Sequence, residues 1–381
     1  MKVYLDHAAT TPLDKRVLKA MTPYLGNVYA NPSSSHFFGR EALKALDFAR
    51  DTLAEILNAS PSEVYFTSGG SESDNWAIKG SARAVREKTG KTHVLLSAIE
   101  HHAALNSAKA LKKEGFDVEL LPVGQNGILD LSTLEQKLKD DTALVCVMTA
   151  NNEVGTLQPV TEIAALTHAK GGLLFTDAVQ AAGYMDIGKN ALNADMVAFS
   201  AHKFYGPKGM GALYIKKGTP ILPFIDGGEQ ERGLRGGTSN VAGAVGLATA
   251  LRLAVEEREK NNTHVRALRN YFLESLFSDV KGVALNGDTL TRLPSNANVA
   301  FTGVDGTALL HRLDLRGIAV SAGSACASGS IEPSHVLTAM GLGLERAKSS
   351  LRFTFGKDNT KEQVEYTVKA LKALVDELRS N

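Results

Sequence analysis

The sequence predicts an α/β fold with a large domain built on a mostly parallel sheet and a smaller α+β domain. Three observations support this prediction. Short, continuously apolar runs alternate with amphipathic helical patterns, which is typical of a parallel sheet covered by helices on both faces. The chain has 381 residues, which is long for one simple core. The pattern also changes near residue 258, so we expect a large domain at 14–258 and a small domain formed by 1–13 and 259–381.

Apolar, β-rich runs predict the strands of the large domain, and helical patterns separate them. The predicted strands are 64–66, 93–97, 143–149, 172–177, 196–200 and 211–215. The predicted helices are 40–57, 73–88, 102–114, 131–139 and 160–170. One long helical pattern then runs from about Val241 towards Phe277, and the domain boundary falls within it. Strand-like segments at 296–303 and 349–356 and a final amphipathic helix to Asn381 follow.

Composition excludes several classes of function. The chain carries 42 Lys and Arg against 41 Asp and Glu, so no charge excess would attract nucleic acid or a membrane surface. Two cysteines do not make a disulfide framework, and they favour the reducing cytoplasm as the location. No run reaches the roughly 20 apolar residues that span a bilayer, and no targeting peptide is recognisable. We therefore expect neither nucleic acid nor a membrane as a direct partner.

In parallel sheets, ligands bind beyond the carboxyl ends of the strands, so the residues that follow each strand are the candidates for chemistry. In FTSGGSESDNWAIKG (66–80), Gly69 and Gly70 allow a ligand to approach the backbone, and Ser71 with the helix start could hold a phosphate. The pattern matches neither common nucleotide-binding loop. The alternative is a tight strand-to-helix turn with a capping serine, and the motif alone does not decide between the two.

Two further strand ends carry charged side chains. Asp177 in FTDAVQAAG could pair with a cation on a ligand, although this motif alone favours an N-cap aspartate. In AFSAHKFYGPKG (198–209), Ser200, His202 and Lys203 follow a strand, and a lysine there can form a Schiff base with a carbonyl cofactor. The alternative is a solvated surface lysine.

Together these groups match the demands of pyridoxal phosphate, which needs a phosphate site, a carboxylate for its pyridine nitrogen and a lysine for its aldehyde. His101 in IEHHA follows another strand and could stack on the ring and move protons; the alternative is a surface pair with His102. Arg352 in SLRFTFG could bind a substrate carboxylate, and a surface arginine on an edge strand is equally compatible with its pattern.

The two cysteines have different surroundings. Cys326 lies in SAGSACASGS (321–330), where serine, alanine and glycine offer nothing to pack a buried thiol. Such a segment predicts a mobile loop that carries a reactive thiol. Cys146 lies in the apolar run ALVCVMT and is expected to be buried in the core.

At this point the sequence resembles a known family. YLDHAATTP, GNVYANPSSSH, FTSGGSESDN, EHHA, NNEVGT, TDAVQ, SAHKFYGPKGMG, GGEQERGLRGGT and SAGSACASGS occur in this order and resemble the cysteine desulfurases. These are pyridoxal-phosphate enzymes of aminotransferase-like fold (fold type I), and S-x-G-S-A-C is similar to the NifS/IscS-like branch with an extended cysteine loop. The resemblance covers essentially the whole chain and implies release of sulfur from L-cysteine.

The resemblance also implies roles for the residues around the cofactor. Lys203 would hold pyridoxal 5'-phosphate as a Schiff base and later carry protons. Asp177 would keep the pyridine nitrogen protonated, and His101 would stack on the ring and act as acid or base. The phosphate would be bound by Gly70, Ser71, Ser200 and His202.

The remaining implied roles concern the substrate and a second subunit. Gln180 and Asn152 would hydrogen-bond the ring hydroxyl or the substrate, and Arg352 would bind the substrate carboxylate. Thr238 in RGGT would reach the phosphate of a neighbouring subunit, which implies a homodimer. Cys326 would attack the sulfur of bound cysteine, leaving L-alanine and an enzyme persulfide.

The acceptor of that sulfur is left between a tRNA thiolase and an iron–sulfur scaffold protein. The chain ends 29 residues after Arg352, and the segment GSIEPSHVLTAMG is similar to the corresponding segment of desulfurases dedicated to tRNA thiolation. Both features favour a tRNA thiolase over an iron–sulfur scaffold as the acceptor, but the scaffold is kept as an alternative. An aminotransferase of the same fold would not need Cys326. A selenocysteine lyase and a non-catalytic sulfur carrier also stay open as alternatives.

Overall fold

The computed structural model describes residues 1–322 and 333–380. Cys326 and the mobile loop predicted around it lie outside the described residues. The strands are β1 (Val3–Tyr4), β2 (Val64–Thr67), β3 (His93–Ser97), β4 (Asp117–Leu121), β5 (Thr142–Cys146), β6 (Leu173–Asp177), β7 (Met196–Ser200), β8 (Gly211–Ile215), β9 (Val283–Asn286), β10 (Asn296–Phe301), β11 (Ile318–Ala319) and β12 (Ser350–Thr354).

The helices of the described ranges divide into α-helices and short turns of other pitch. The α-helices are α1 (Lys15–Met21), α2 (Pro23–Gly26), α3 (Phe37–Ile56), α4 (Gly70–Asn75), α5 (Ser81–Thr89), α6 (His102–Lys113), α7 (Leu131–Lys137), α8 (Val160–Ala169), α9 (Lys189–Leu192), α10 (Val241–Glu256), α11 (Arg258–Asp279), α12 (Gly306–Leu315), α13 (His335–Ala339), α14 (Leu344–Lys348) and α15 (Lys361–Ser380). Short 3-10 turns cover Pro61–Glu63, Ala201–Lys203 and Gln230–Gly233, and a π-helical turn at Trp76–Gly80 joins α4 to α5.

A seven-stranded sheet forms the centre of the large domain, in the order β2-β8-β7-β6-β5-β3-β4. The strands from β7 to β4 are parallel, and β8 is antiparallel to both of its neighbours. The prediction of a mostly parallel sheet is therefore confirmed. Because β8 is antiparallel to both β2 and β7, β2 and β7 run in the same direction, and their carboxyl ends lie at the same edge of the sheet.

Helices bury both faces of this sheet, which explains why β3, β5 and β7 are fully buried and mostly apolar, with polar residues at their ends. On one face, α3 and α10 pack together through small and branched side chains such as Ala49, Leu53 and Leu247. On the other face, Trp76 and Ile78 are completely buried. Within the described ranges, no helix combines the length and the apolar content that crossing a bilayer requires.

The small domain has its own sheet and its own apolar core. Antiparallel strands run in the order β12-β10-β9, while β1 pairs in parallel with β11. The core contains the rings of Phe272, Phe301 and Phe353 together with side chains from β1 and α15. Val3 and Leu5 belong to this second core, while the assignment of 1–13 and 259–381 to a small domain stays a prediction.

The sequence analysis was wrong on one helix and missed the strands β1, β4, β9 and β11. The single long pattern from Val241 is two helices that separate at Glu257, whose backbone lies at φ −98° and ψ 4°. They separate because they serve different cores: Leu247 belongs to the core of the large domain and Phe272 to that of the small domain. Strand β4, which lies at the sheet edge, has a partly exposed pattern too short to stand out.

Candidate functional site

A cavity of about 350 Å³ opens at the carboxyl edge of the large sheet. It lies where the segments that follow β2, β3, β5, β6 and β7 come together, with β12 of the small domain closing one side. The predicted site residues that line it are Gly70, Ser71, His101, Asn152, Asp177, Gln180, Ser200, His202, Lys203 and Arg352. The topology thus brings together residues that are up to 282 positions apart in the chain.

Lys203 lies in the short turn that follows β7, and its amine points into the cavity. The Nζ atom donates hydrogen bonds to the backbone oxygens of Ala8 at 2.6 Å and Ala9 at 2.9 Å. Burial and the nearby Arg352 together lower the pKa of this amine to about 8, although Asp177 and Asp6 act in the opposite direction. A lysine with this pKa is a stronger nucleophile near neutral pH than a surface lysine.

Asp177 ends β6 and is 5% exposed. Its Oδ1 accepts a hydrogen bond of 2.8 Å from the backbone N–H of Val179, within a turn that does not continue as a helix. Asp177 is therefore not an N-cap. Burial raises the pKa of its carboxyl group to about 6, because the Val179 N–H and Lys203 compensate only in part for lost solvation.

A glycine pair begins the helical segment after β2, and the backbone there is open to a ligand. Gly69 has φ +151°, a conformation that side chains rarely allow. A Cβ atom on Gly70 would lie 2.9 Å from Val179 Cγ2. Ser200 is buried beside this turn. The Nδ1 atom of His202 forms a hydrogen bond of 3.1 Å with the Oγ1 atom of Thr10. The two glycines leave a cradle that a Cβ atom would fill.

His101 forms the N-cap of α6. Its Nδ1 accepts a hydrogen bond of 3.2 Å from the N–H of Ala103, so the neutral ring carries its proton on Nε2. Burial by the surrounding protein, together with Lys203, lowers the pKa of the imidazole to about 4. The ring is therefore neutral near pH 7 and faces the cavity. Its neighbour His102 stacks instead near His335, with ring centres 4.5 Å apart.

Arg352 reaches the cavity from β12 and is 4% exposed, so it is not a surface arginine. One nitrogen, Nη1, donates to the backbone oxygen of Asn152 at 2.8 Å. The other, Nη2, pairs with Asp6 Oδ1 at 2.8 Å. The Nε–H is buried and has no hydrogen-bond partner in the part of the chain that the structure describes. A buried guanidinium with a donor to spare is suited to bind a carboxylate.

Comparison with known proteins places the chain. The family described as aminotransferase class-V matches residues 3–367.

The chain belongs to the aminotransferase class-V family.

Two named relatives are similar to this chain over more than nine tenths of their length. It is 46% identical over 379 residues to "Cysteine desulfurase IscS" of Dictyoglomus turgidum, covering 100% of this chain and 96% of that protein. It is also 46% identical over 378 residues to the protein of the same name from Methanosarcina thermophila, covering 99% and 93%. A solved structure described as a NifS-like protein matches with a TM-score of 0.92 at 39% identity, covering 99% of this chain and 100% of that one. The aminotransferase-like fold is confirmed.

Enzymes of this family use pyridoxal phosphate, and the cavity of the class-V chain fits that group. Asp177 offers a buried carboxylate that lacks a cationic hydrogen-bond partner of its own. Lys203 offers an amine with a depressed pKa, and Gly69 with Gly70 offers a cradle open to a phosphate. Each demand of the cofactor therefore has a matching group in the cavity.

Two predicted residues of the class-V chain are not placed in this cavity. Thr238 is exposed and lines a separate depression with Gly209, Ser239 and Asn240. A role within its own subunit's cavity is therefore excluded by position. Cys326 lies outside the described residues, so its role stays a prediction.

Sequence reasoning missed three acidic residues at this site: Asp74 and Glu153, which line the cavity, and Asp6, which contacts Arg352. Asp74 lines the cavity, is 1% exposed and has an Oδ1 atom without a hydrogen-bond partner. Burial and the neighbouring Asp177 raise the pKa of its carboxyl group well above the usual range. Its spacing was the available signal, because Asp74 follows Gly70 by four positions and so shares its helix face. Asp6 had no such signal, since only the folded chain brings it to Arg352.

A group of metal-ligand type lies elsewhere in the described residues, on β3 and β4. His93, Asp117 and Glu119 place ligand atoms within 4.8 Å of one another. Lys137 pairs with Glu119 at 2.8 Å, and Lys139 pairs with both carboxylates at 3.1 and 2.7 Å. The ammonium groups already neutralise these carboxylates, so the cluster is an ion-pair network at the edge of the sheet.

Proposed function

We propose that this protein is a cysteine desulfurase, which converts L-cysteine into L-alanine and transfers the sulfur to its own Cys326. One observation carries the proposal: a single cavity brings together a lysine of low pKa, a buried aspartate and a buried arginine with an unpaired N–H. These are the groups that an amino-acid substrate and pyridoxal phosphate require. The names of the relatives and of a solved neighbour, SspA in complex with cysteine, select cysteine as the amino acid.

The residues that would hold the cofactor surround the cavity on three sides. Asp177 would pair with the protonated pyridine nitrogen, and Gln180 and Asn152 would bond the ring hydroxyl or the substrate. The phosphate would rest on Gly70, Ser71, Ser200 and His202. When bound, pyridoxal phosphate withdraws electrons from the substrate's α-carbon, which makes bonds at that carbon and its neighbour easier to break.

Lys203 would anchor the cofactor covalently and then move protons. With a pKa of about 8, its Nζ atom is present in both protonated and neutral forms near neutral pH. The same atom can therefore take a proton from the substrate and return it later. The carbonyls of Ala8 and Ala9 orient this atom towards the cavity when it carries its protons.

His101 and Arg352 would orient the bound molecules. His101 is neutral near pH 7, so its ring can lie against an aromatic cofactor without the penalty of burying a charge. The guanidinium of Arg352 would bind the α-carboxylate through charge-assisted hydrogen bonds. Asn152 lies beside it, because its backbone oxygen already accepts from Arg352.

The sulfur step would belong to Cys326. Its thiolate attacks the sulfur of bound cysteine, forming an S–S bond while the C–S bond breaks. The electron pair of the broken bond stays with the carbon fragment, which takes up a proton and leaves as L-alanine. The resulting persulfide is available to an acceptor protein, for which we propose a tRNA thiolase or an iron–sulfur scaffold. A cytoplasmic location, inferred from the low cysteine content, is part of the same proposal.

A homodimer is also part of this proposal. An aromatic patch is formed by Tyr29, Phe37, Phe38 and Phe48, whose side chains are 75%, 62%, 44% and 66% exposed. The ring centres of Phe37 and Phe38 are 3.9 Å apart and those of Tyr29 and Phe38 are 6.3 Å apart, so these three rings form one cluster, and Phe48 lies farther along the same helix. Large exposed apolar patches mark interaction sites. A second copy on this patch would allow the exposed Thr238 to reach the partner's phosphate site.

The proposal is tested by incubating the purified holoenzyme with L-cysteine and a thiol reductant and measuring alanine, sulfide and keto acid. Equal amounts of alanine and sulfide are expected. Cys326→Ala should keep the yellow cofactor and lose sulfide release. Cys146→Ala is the matched control, because Cys146 is fully buried and lies outside the cavity. Formation of keto acid without sulfide would identify an aminotransferase instead. Retention of full activity by Cys326→Ala would overturn the assignment of the thiol.

A further inference from the structure

The segment Asp6–Ala9 lies against the cavity and holds several of its side chains. The backbone oxygen of Ala8 accepts hydrogen bonds from Lys203 Nζ at 2.6 Å and from Gln180 Nε2 at 2.9 Å. The segment is far from both residues in sequence, and no motif linked them. Its contacts show that it forms part of the wall of the site.

Asp6 adds a charged contact from this segment to Arg352. Its Oδ1 accepts from Nη2 at 2.8 Å, and the backbone oxygen of Asn152 accepts from Nη1 at the same distance. These two bonds fix the plane of the guanidinium from two sides. The Nε–H stays buried without a hydrogen-bond partner among the described residues, which indicates a further acceptor that binds in the cavity.

The backbone places Asp6 independently of Arg352. Asp6 forms a bridge with Thr354 on β12, two residues beyond the arginine. Its own backbone oxygen accepts from the Tyr4 hydroxyl at 3.0 Å and from the N–H of Ala9 at 3.0 Å. The backbone of Asp6 is therefore held in place by these contacts, so its carboxylate can orient the more flexible side chain of Arg352.

We propose that Asp6 is a positioning residue that determines specificity for α-carboxylates, because it fixes Arg352 with a free N–H towards the substrate. This inference rests on the proposed function of Arg352. The negative charge of Asp6 also repels an arriving carboxylate. Positioning outweighs this repulsion, since without Asp6 the buried guanidinium would keep, among the described residues, the backbone oxygen of Asn152 as its one fixed partner.

The test compares two amine ligands that differ in the carboxylate. The holoenzyme is titrated with L-alanine and with ethylamine, and binding is followed by the change in visible absorbance. In Asp6→Ala, the Kd for L-alanine should rise about tenfold, as expected for losing one charge-assisted hydrogen bond, and the Kd for ethylamine should change less than about twofold. Asp6→Asn keeps an oxygen acceptor and should lie between Asp6→Ala and the unsubstituted protein. The KM for L-cysteine should rise more than kcat falls.

Tyr4→Phe is the matched control, because it removes one contact to the Asp6 backbone but leaves the carboxylate, the bridge to Thr354 and the hydrogen bond from the Ala9 N–H in place. It should change both Kd values less than about twofold. An unchanged or lower Kd for L-alanine in Asp6→Ala would overturn the inference, as would an equal loss for ethylamine or the same selective loss in Tyr4→Phe. Absence of alanine and sulfide production by the unsubstituted protein is a separate result, which would overturn the proposed function itself.

Discussion

Burial shifts the two principal charged groups of the cavity in opposite directions, each towards its neutral form. The pKa of Asp177 is raised to about 6, while that of Lys203 is lowered to about 8. Both shifts have the same cause, the removal of water from a charged group. A bound pyridinium would supply Asp177 with a cation. It would thereby compensate for the free-energy cost of burying the ionised Asp177 carboxylate.

The low pKa of Lys203 gives a prediction on cofactor uptake. The neutral amine is the nucleophile, so the rate at which cofactor-free protein captures pyridoxal phosphate should rise with pH and level off above about pH 8. An ordinary lysine would keep rising towards pH 10. The appearance of visible absorbance after mixing measures this rate.

Arg352→Gln provides the comparison for cofactor uptake. Removing this cation raises the pKa of Lys203, so the midpoint of the pH profile should move upwards. A profile that is flat from pH 6 to 10, or a midpoint that moves downwards in Arg352→Gln, would contradict the account of Lys203.

Asp177 gives a second prediction, which concerns stability. Its pKa is higher in the folded protein than in the unfolded chain, so its contribution favours folding at low pH and is lost as pH rises from about 4 to 6. The penalty at pH 7 is about 3 kcal/mol by this shift. Cofactor-free Asp177→Asn should therefore be more stable to urea at pH 7.5, by up to that amount, and the gain should shrink towards pH 4.

The same substitution should damage function, with desulfurase activity reduced by about 100-fold or more, because the pyridine nitrogen loses its charged partner. If cofactor-free Asp177→Asn were less stable than the unsubstituted protein at every pH, the burial penalty at Asp177 would be refuted.

At the scale of elements, the phosphate cradle depends on a close approach between β8 and the start of α4. A Cβ atom on Gly211 would lie 2.7 Å from Gly69 Cα and 2.8 Å from the backbone oxygen of Phe199. Both neighbours are backbone atoms, which have no rotamer by which to move away. The glycine on β8 thus fixes the position of the turn that precedes α4.

Gly211→Ala should therefore destabilise the protein and weaken cofactor binding together. Overpacking of this kind costs about 1–3 kcal/mol, and the displaced turn should lower the affinity for pyridoxal phosphate. Urea unfolding and a cofactor-binding titration measure the two effects. Gly26→Ala is the control, since its Cβ would have no atom within 4 Å, and it should change stability by less than about 0.5 kcal/mol. Equal behaviour of the two variants would exclude the close approach as a constraint.

A helix or strand could be predicted where a single kind of burial determines its hydrophobic pattern. Strands β3 and β7 are apolar because both faces are buried, so their positions, and those of the residues that follow them, could be read directly. The helical pattern from Val241 has two causes, one for each core, and the break at Glu257 carries no glycine or proline to mark it. Asp6 acquires its surroundings only from tertiary contacts, so no local pattern could reveal what it touches.

At the scale of the whole molecule, the cavity draws on both apolar cores. Lys203 and Asp177 stand on the large sheet, whereas Arg352 stands on the small one, and the segment after β1 connects them. The division into domains at residue 258 stays our proposal. It would place Asp177 and Lys203, proposed to hold the cofactor, on one domain and Arg352, proposed to bind the substrate, on the other. Motion between the domains would then change the distance from the cofactor to the group that recognises the substrate.

The aromatic patch and Thr238 lead to a prediction on assembly. Phe37 and Phe48 lie three helical turns apart on one face of α3, so a double substitution by aspartate places two charges in the proposed contact. The unsubstituted protein should have the mass of a dimer in light scattering, and the double variant the mass of a monomer. Leu290→Asp is the control, because Leu290 is 89% exposed and lies outside the patch, and it should stay a dimer. A dimeric double variant would place the interface elsewhere.

Thr238 links this assembly to the chemistry, since it is exposed and lies away from its own cavity. If the partner's phosphate is its ligand, Thr238→Ala should keep the dimer mass and weaken cofactor binding by about tenfold, the effect of one hydrogen bond to a charged group. The monomeric double variant should weaken it at least as much, because it removes the same contact by another route. Unchanged cofactor affinity in a proven monomer would show that each subunit holds its cofactor alone, and Thr238 would then have no part in the site.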